Sequence, residues 1–78
     1  MDAFAKNLRA LIEEKKMNQK DFAASAGVSA MSVSNWLNKG MIPSMEVLEL
    51  IMELYDISYD DLMSEDFGYF KKTHGGYN

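Results

Sequence analysis

The sequence predicts an all-α fold, a compact domain of five helices. Apolar residues recur along most of the chain at the three- and four-residue spacing of a helix face. Asn or Ser stands before each of the last four of these stretches, where a helix needs an N-cap. No alternation of period two, which would indicate a strand, persists anywhere. With 78 residues of which 47% are apolar, the chain is long enough for one small core.

The first helix is predicted from one apolar stripe near the N-terminus. Asp2 can cap its start, and the cations Lys15 and Lys16 suit the negative end of its dipole. The residues that should face the core are Phe4, Leu8, Leu11 and Ile12.

The second and third helices are separated by a very short turn. Asn18 caps the second helix, Gly27 can take the left-handed conformation that ends it, and Ser29 caps the third. Helices joined by a three-residue turn cross steeply, so the first turn of the third helix should be exposed, which is the shape that enters a DNA major groove. The residues that should face the core are Phe22, Ala23, Ala26, Val33, Trp36 and Leu37.

The fourth and fifth helices follow a break at residues 39–43. Ser44 and Ser58 are their predicted caps, and their inward residues should be Leu48, Ile51, Leu54, Tyr55 and Leu62. We expect residues 1–63 to form the domain and residues 64–78 to form a tail. The aromatic residues Phe67, Tyr69 and Phe70 of this tail could pack back on the helices or form a dimer surface.

Charge is distributed unevenly along the chain. The net charge is −4, but residues 1–43 carry six cations and four acids, whereas residues 44–78 carry two cations and eight acids. The first part is mildly basic and the second part acidic, so long-range attraction to DNA should be weak. The eight acids can be read as a solvated face or as a surface for a basic partner.

Residues 8–62 resemble the helix-turn-helix domains of the phage lambda and 434 repressors, Cro and the Xre-type bacterial regulators. The residues that carry the resemblance are Gln19, Ala23, Gly27, Val28, Ser29, Val33, Ser34, Pro43, Ser44, Ile57, Ser58 and Leu62. They occur in the family's order and at compatible spacing. The resemblance implies a five-helix domain that binds double-stranded DNA, commonly as a two-fold dimer.

The resemblance also implies which side chains meet DNA. Base edges would be contacted by Gln19, Ala30, Met31, Ser32 and Asn35, and phosphates by Asn18, Ser34, Asn38 and Lys39, together with backbone amides around residues 41 and 42. Asn can bond adenine through two hydrogen bonds, Ser can bond several bases, and Ala and Met offer apolar contact, for example to a thymine methyl group. Family members commonly carry Gln, Arg or Thr where this chain has Ala30 and Met31.

Some of these residues also have a purely structural interpretation. Gln19 could be a solvated residue of a first helical turn. Met31 should be exposed, because Val33, Trp36 and Leu37 already supply the inward stripe. Trp36 is expected in the core or as a partly buried shelf, and contact with DNA is the less favoured alternative.

The chain departs from the family at Ala30 and Met31, and it departs a second time where the first helix meets the third. Repressors of this family often bury an Arg of the first helix against a Glu of the third, and the corresponding residues here are Ile12 and Leu37. An apolar pair can replace a buried ion pair without loss of stability. A single buried charge that has lost its partner, in contrast, destabilises the fold. We therefore expect both side chains to be buried and in contact.

The leading hypothesis is a cytoplasmic DNA-binding transcriptional regulator, a repressor of phage or mobile-element type that acts as a homodimer without a cofactor. The alternative is a protein-interaction module, such as an antitoxin or an adaptor, that uses the acidic second half. No apolar run is long enough to span a membrane. Catalysis and metal binding have little support, because the chain has no cysteine and its one histidine, His74, stands alone near two glycines.

Overall fold

The computed structural model describes residues 3–65, and these form five α-helices with no strand among them. The helices are α1 (Ala3–Glu14), α2 (Gln19–Ala26), α3 (Ala30–Asn38), α4 (Met45–Tyr55) and α5 (Tyr59–Met63). The predicted all-α, five-helix architecture is therefore confirmed. No helix of this part of the chain is long and apolar enough to cross a bilayer.

Local capping chemistry starts the last four helices where the sequence predicts. In each case the side-chain oxygen of the cap accepts a hydrogen bond from the backbone N–H three residues later, which satisfies one of the unpaired donors of a first turn. The four caps are Asn18, Ser29, Ser44 and Ser58. All four cap predictions are confirmed.

The core is one cluster to which every helix contributes. α1 packs against α3 and α5, and α2 packs against α3 and α4. The inward residues predicted for the first three helices are all buried, as are Leu48, Ile51 and Leu62. The expectation that Trp36 lies in the core is confirmed, since 6% of it is exposed.

The buried stripe of α4 differs from the prediction at its end. Leu54 is 49% exposed, and Tyr55 is half-buried with its ring stacked on Phe22 at a centroid distance of 5.4 Å. At about 100° per residue, Leu54 points about 120° away from Leu48, whereas Tyr55 points only about 20° away. The prediction that Leu54 is buried is wrong, because α2 covers α4 on the Tyr55 side.

Ile12 and Leu37 are both buried, with 6% and 3% of their surfaces exposed, and they belong to the same hydrophobic cluster. Their predicted burial is confirmed, while their direct contact stays a prediction. The guanidinium of Arg9, one turn before Ile12, lies close by and donates from Nη2 to the carbonyl of Leu37 at 3.5 Å.

One buried polar side chain, Asn7, was not anticipated from the sequence. It is 1% exposed, and its Nδ2 donates to the carbonyl oxygens of Leu62 at 2.8 Å and Ser64 at 2.7 Å. Its Oδ1 has no hydrogen-bond partner among the residues that the structure describes. The side chain thus holds the end of α5 against α1.

Several sequence-based expectations fall outside residues 3–65. They are the cap at Asp2, the aromatic residues Phe67, Tyr69 and Phe70 of the tail, and His74. The division between the domain and the tail also stays a prediction.

Candidate nucleic-acid interface

The turn between α2 and α3 is held by its own backbone and caps. Gly27 has φ +69°, in the left-handed region where a residue without a Cβ is favoured. Its N–H donates to the carbonyl of Ala24 at 3.2 Å, and the N–H of Val28 donates to that of Ala23 at 3.0 Å. Ser29 then accepts from the N–H of Ser32 at 3.1 Å, so only the three residues 27–29 separate α2 from α3.

Three inward side chains fix how α3 is rotated. Val33, Trp36 and Leu37 are buried, so the opposite side of the helix faces solvent. Met31 is 70% exposed, which confirms the prediction for that residue. Ala30 and Asn38 are also exposed.

Three polar residues of α3, namely Ser32, Ser34 and Asn35, are half-buried. The hydroxyls of Ser29 and Ser32 lie 3.1 Å apart and share a hydrogen bond. Nδ2 of Asn38 donates to the carbonyl of Ser34 at 3.1 Å and to its Oγ at 3.3 Å. No residue in the described range 3–65 hydrogen-bonds the amide of Asn35.

A second group of predicted contact residues lies at the N-terminus of α2. Oδ1 of Asn18 accepts from the N–H of Asp21 at 2.7 Å. The cap therefore does not use the Nδ2 donor of the same side-chain amide. Gln19 is half-buried, and both residues line a shallow cleft together with Arg9 and Leu37. The cleft therefore gathers amide and guanidinium donors, together with the carboxylate of Glu13, beside the positive end of the α2 dipole.

Sequence reasoning missed Arg9 as a member of this cleft. It is the chain's single arginine, but the spacing of residues in α1 does not show that its guanidinium reaches the end of α3. A half-buried arginine can keep its stem on the apolar surface while its guanidinium reaches the rim. Its bond to the α3 carbonyl places a cation close to the end of the exposed helix.

The remaining cations of the motif are exposed. Lys39 follows α3, and Lys20 lies in the first turn of α2. Within residues 3–65, no three acidic or histidine side chains converge as a metal site. The α2–α3 region therefore exposes amides, hydroxyls and a few cations, which are groups that can hydrogen-bond an anionic ligand.

A family model described as Helix-turn-helix matches residues 8–62. The chain therefore belongs to the helix-turn-helix family, in its lambda-repressor or Xre-type branch. Among curated proteins, it is 35% identical over 75 residues to the HTH-type transcriptional repressor RghR of Bacillus subtilis, covering 95% of this chain and 55% of RghR. It is 31% identical over 61 residues to Antitoxin PezA of Streptococcus pneumoniae, covering 78% of this chain and 39% of PezA.

The chain thus spans about half the length of RghR and less of PezA. Among solved structures, the P22 c2 repressor protein in complex with synthetic operator 9T matches with a TM-score of 0.73 at 23% identity, covering 83% of this chain and 98% of that one. This likeness shows that the two share a fold.

Proposed function

We propose that this domain is the sequence-specific DNA-binding module of a transcriptional repressor of phage or mobile-element type, which acts in the cytoplasm. The observation that carries the proposal is the orientation of α3. Its apolar stripe is buried, while Ala30 and Met31 at its N-terminal end are exposed, and this end of a recognition helix meets the base edges. The family and the repressor named among its relatives support the same function.

Two sets of side chains carry the proposed contacts. Base edges would be met by Gln19, Ala30, Met31, Ser32 and Asn35, and phosphates by Asn18, Ser34, Asn38 and Lys39. Phosphate contacts fix the register of the protein, and base contacts supply the specificity. Arg9 joins the phosphate set in this proposal, because it lines the same cleft as Asn18 and Gln19.

The charge pattern predicts an affinity that depends only moderately on salt. The motif carries few exposed cations, so few phosphates would be neutralised, and each contributes about −0.9 to the slope of log K against log salt. We expect the affinity to fall by less than about 10³-fold between 50 and 200 mM salt, below the range of proteins with six to ten phosphate contacts.

We further propose that the protein binds as a two-fold dimer. A single module with so few cations gains useful affinity from a second half-site. The apolar side chains Leu50 and Leu54 of α4 and Tyr59 of α5 are exposed, and they offer a surface for a second copy. Half-sites would then be centred about 34 Å apart.

The test is selection of bound sequences from a random duplex pool, followed by binding of the selected duplex in fluorescence anisotropy. Recovery of a palindrome supports both DNA binding and dimerisation. Met31→Glu should abolish binding, because it places a negative charge on the exposed face of α3. Ala24→Glu adds the same charge at an exposed position of α2 that lies outside the proposed contact sets and the proposed dimer surface, and it is the control, with light scattering to report whether each variant stays dimeric. Equal binding by wild type and Met31→Glu would refute the proposed interface.

A second candidate function is favoured by the acidic face of α4. Glu46, Glu49 and Glu53 line a shallow groove with Leu50 and Met52, and a relative bears the name of an antitoxin. This face would suit a basic, amphipathic segment of a protein partner. Failure to bind any duplex at low salt would favour this candidate over the DNA reader.

A further inference from the structure

The exposed face of α3 points to a particular kind of base pair, an inference that rests on the proposed function. We infer that this helix reads A·T pairs, with Asn35 on an adenine and Met31 on the thymine methyl group of a neighbouring pair. Four steps carry the inference: the placement of these two side chains, the engagement of the other polar groups, the charge of α3 and the chemistry of the groove.

Met31 and Asn35 lie on one stripe of α3. Residues four apart share a helix face, and this stripe is opposite the buried residues Val33 and Leu37. Met31 is the most exposed large apolar side chain in the described part of the chain, at 70%. A helix that enters the groove on this face therefore presents one thioether side chain and one amide, about 6 Å apart along its axis.

The other polar side chains of α3 already have partners within the protein. Ser32 shares a hydrogen bond with Ser29, and Nδ2 of Asn38 donates to Ser34. These groups keep spare lone pairs, but they are less able to swing toward a base. Asn35 is the one amide of α3 to which residues 3–65 offer no hydrogen bond, so both its donor and its acceptor remain for DNA.

α3 itself carries no charged residue between Ala30 and Asn38. The frequent specific contact to guanine is a bidentate bond from Arg or Lys to O6 and N7, and α3 cannot make it. The next cation along the chain, Lys39, follows the C-terminal end of α3, away from the end that meets the bases.

The major-groove edge of an A·T pair matches what remains. Adenine offers N7 as an acceptor and N6–H as a donor, which fits the Nδ2 and Oδ1 of one Asn side chain. Thymine offers a methyl group, which fits the apolar side chain of Met31. A guanine in place of the adenine would turn the donor at the sixth position into an acceptor and leave one bond of Asn35 unmade.

The experiment uses the duplex recovered by selection and replaces single atoms of its bases. Changing the contacted dT to dU removes only the methyl group and should weaken wild-type binding about fourfold, the equivalent of one buried CH₂. Changing the contacted dA to 7-deaza-dA removes N7 and should weaken it by about fivefold or more. Met31→Ala should become insensitive to the dU change, and Asn35→Ala should become insensitive to the 7-deaza change.

The crossed combinations are the controls. Met31→Ala should still respond to 7-deaza-dA, and Asn35→Ala should still respond to dU. A recovered palindrome whose half-sites hold G·C at these positions, or variants that respond like wild type, would overturn the assignment while leaving DNA binding intact. A pool from which no sequence is enriched would instead overturn the proposed function itself.

Discussion

Exchanging Ile12 and Leu37 for an ion pair tests how α1 and α3 are joined at the foot of the motif. Both side chains are buried, so Ile12→Arg alone places an unpaired charge in the core and should cost about 3–5 kcal/mol. Leu37→Glu alone should cost less, because the guanidinium of Arg9 already lies 3.5 Å from the Leu37 carbonyl and can pair with the new carboxylate. The double variant restores an Arg–Glu pair and should recover about 2 kcal/mol or more of the summed losses.

The assay is urea unfolding of all four proteins followed by circular dichroism. A domain of this length has about 4–12 kcal/mol of stability to lose, so a single variant can be unfolded at 25 °C, and rescue then appears as recovery of the helical signal. Leu37→Lys is the charge-reversed control. It should lower the free energy of unfolding more than Leu37→Glu does, because the new ammonium lies beside the guanidinium of Arg9. Strict additivity of the two single losses would show that residues 12 and 37 do not face each other.

Three further substitutions test individual features by thermal unfolding. Gly27→Ala should cost about 1–2 kcal/mol, since φ is +69° although no atom lies within 4 Å of the added Cβ; no loss would mean that the turn relaxes. Asn7→Ala should cost about 2–3 kcal/mol, because it removes two hydrogen bonds and leaves their carbonyls unsatisfied; a loss below 0.5 kcal/mol would show that water replaces the amide. Tyr55→Phe should cost about 0.5–1.5 kcal/mol by removing its hydroxyl bonds, while Tyr59→Phe, at an exposed position, should change nothing; equal effects would refute the structural role of the Tyr55 hydroxyl.

Helix boundaries were predictable because their signals are local. Asn18 and Ser29 are recognisable as caps because each accepts a hydrogen bond from an N–H only three residues later. Gly27 marks the turn because its own backbone is left-handed. The outward face of α3 was predictable for the same reason, since three inward residues leave one side of a nine-residue helix for Met31.

Features that depend on partners distant in the sequence were not predictable. Whether Leu54 or Tyr55 is covered depends on where α2 crosses α4, and the ring of Phe22 favours Tyr55. The burial of Asn7 depends on carbonyls 55 and 57 residues further along the chain. The place of Arg9 depends on α3 ending within reach of its guanidinium, which no spacing in α1 reveals.

The hydrogen bonds from Asn7 have a mechanical consequence for the whole domain. They fasten the chain near Ser64 to the first helix, so a force applied to the polypeptide beyond residue 65 is borne by α1 before it reaches α4. α1 in turn lies against α3, so the first helix connects the anchored chain near Ser64 to the helix that we propose contacts DNA. A tether or fused domain added there would pull on α1 through the two hydrogen bonds of Asn7 and through the buried side chain of Leu62.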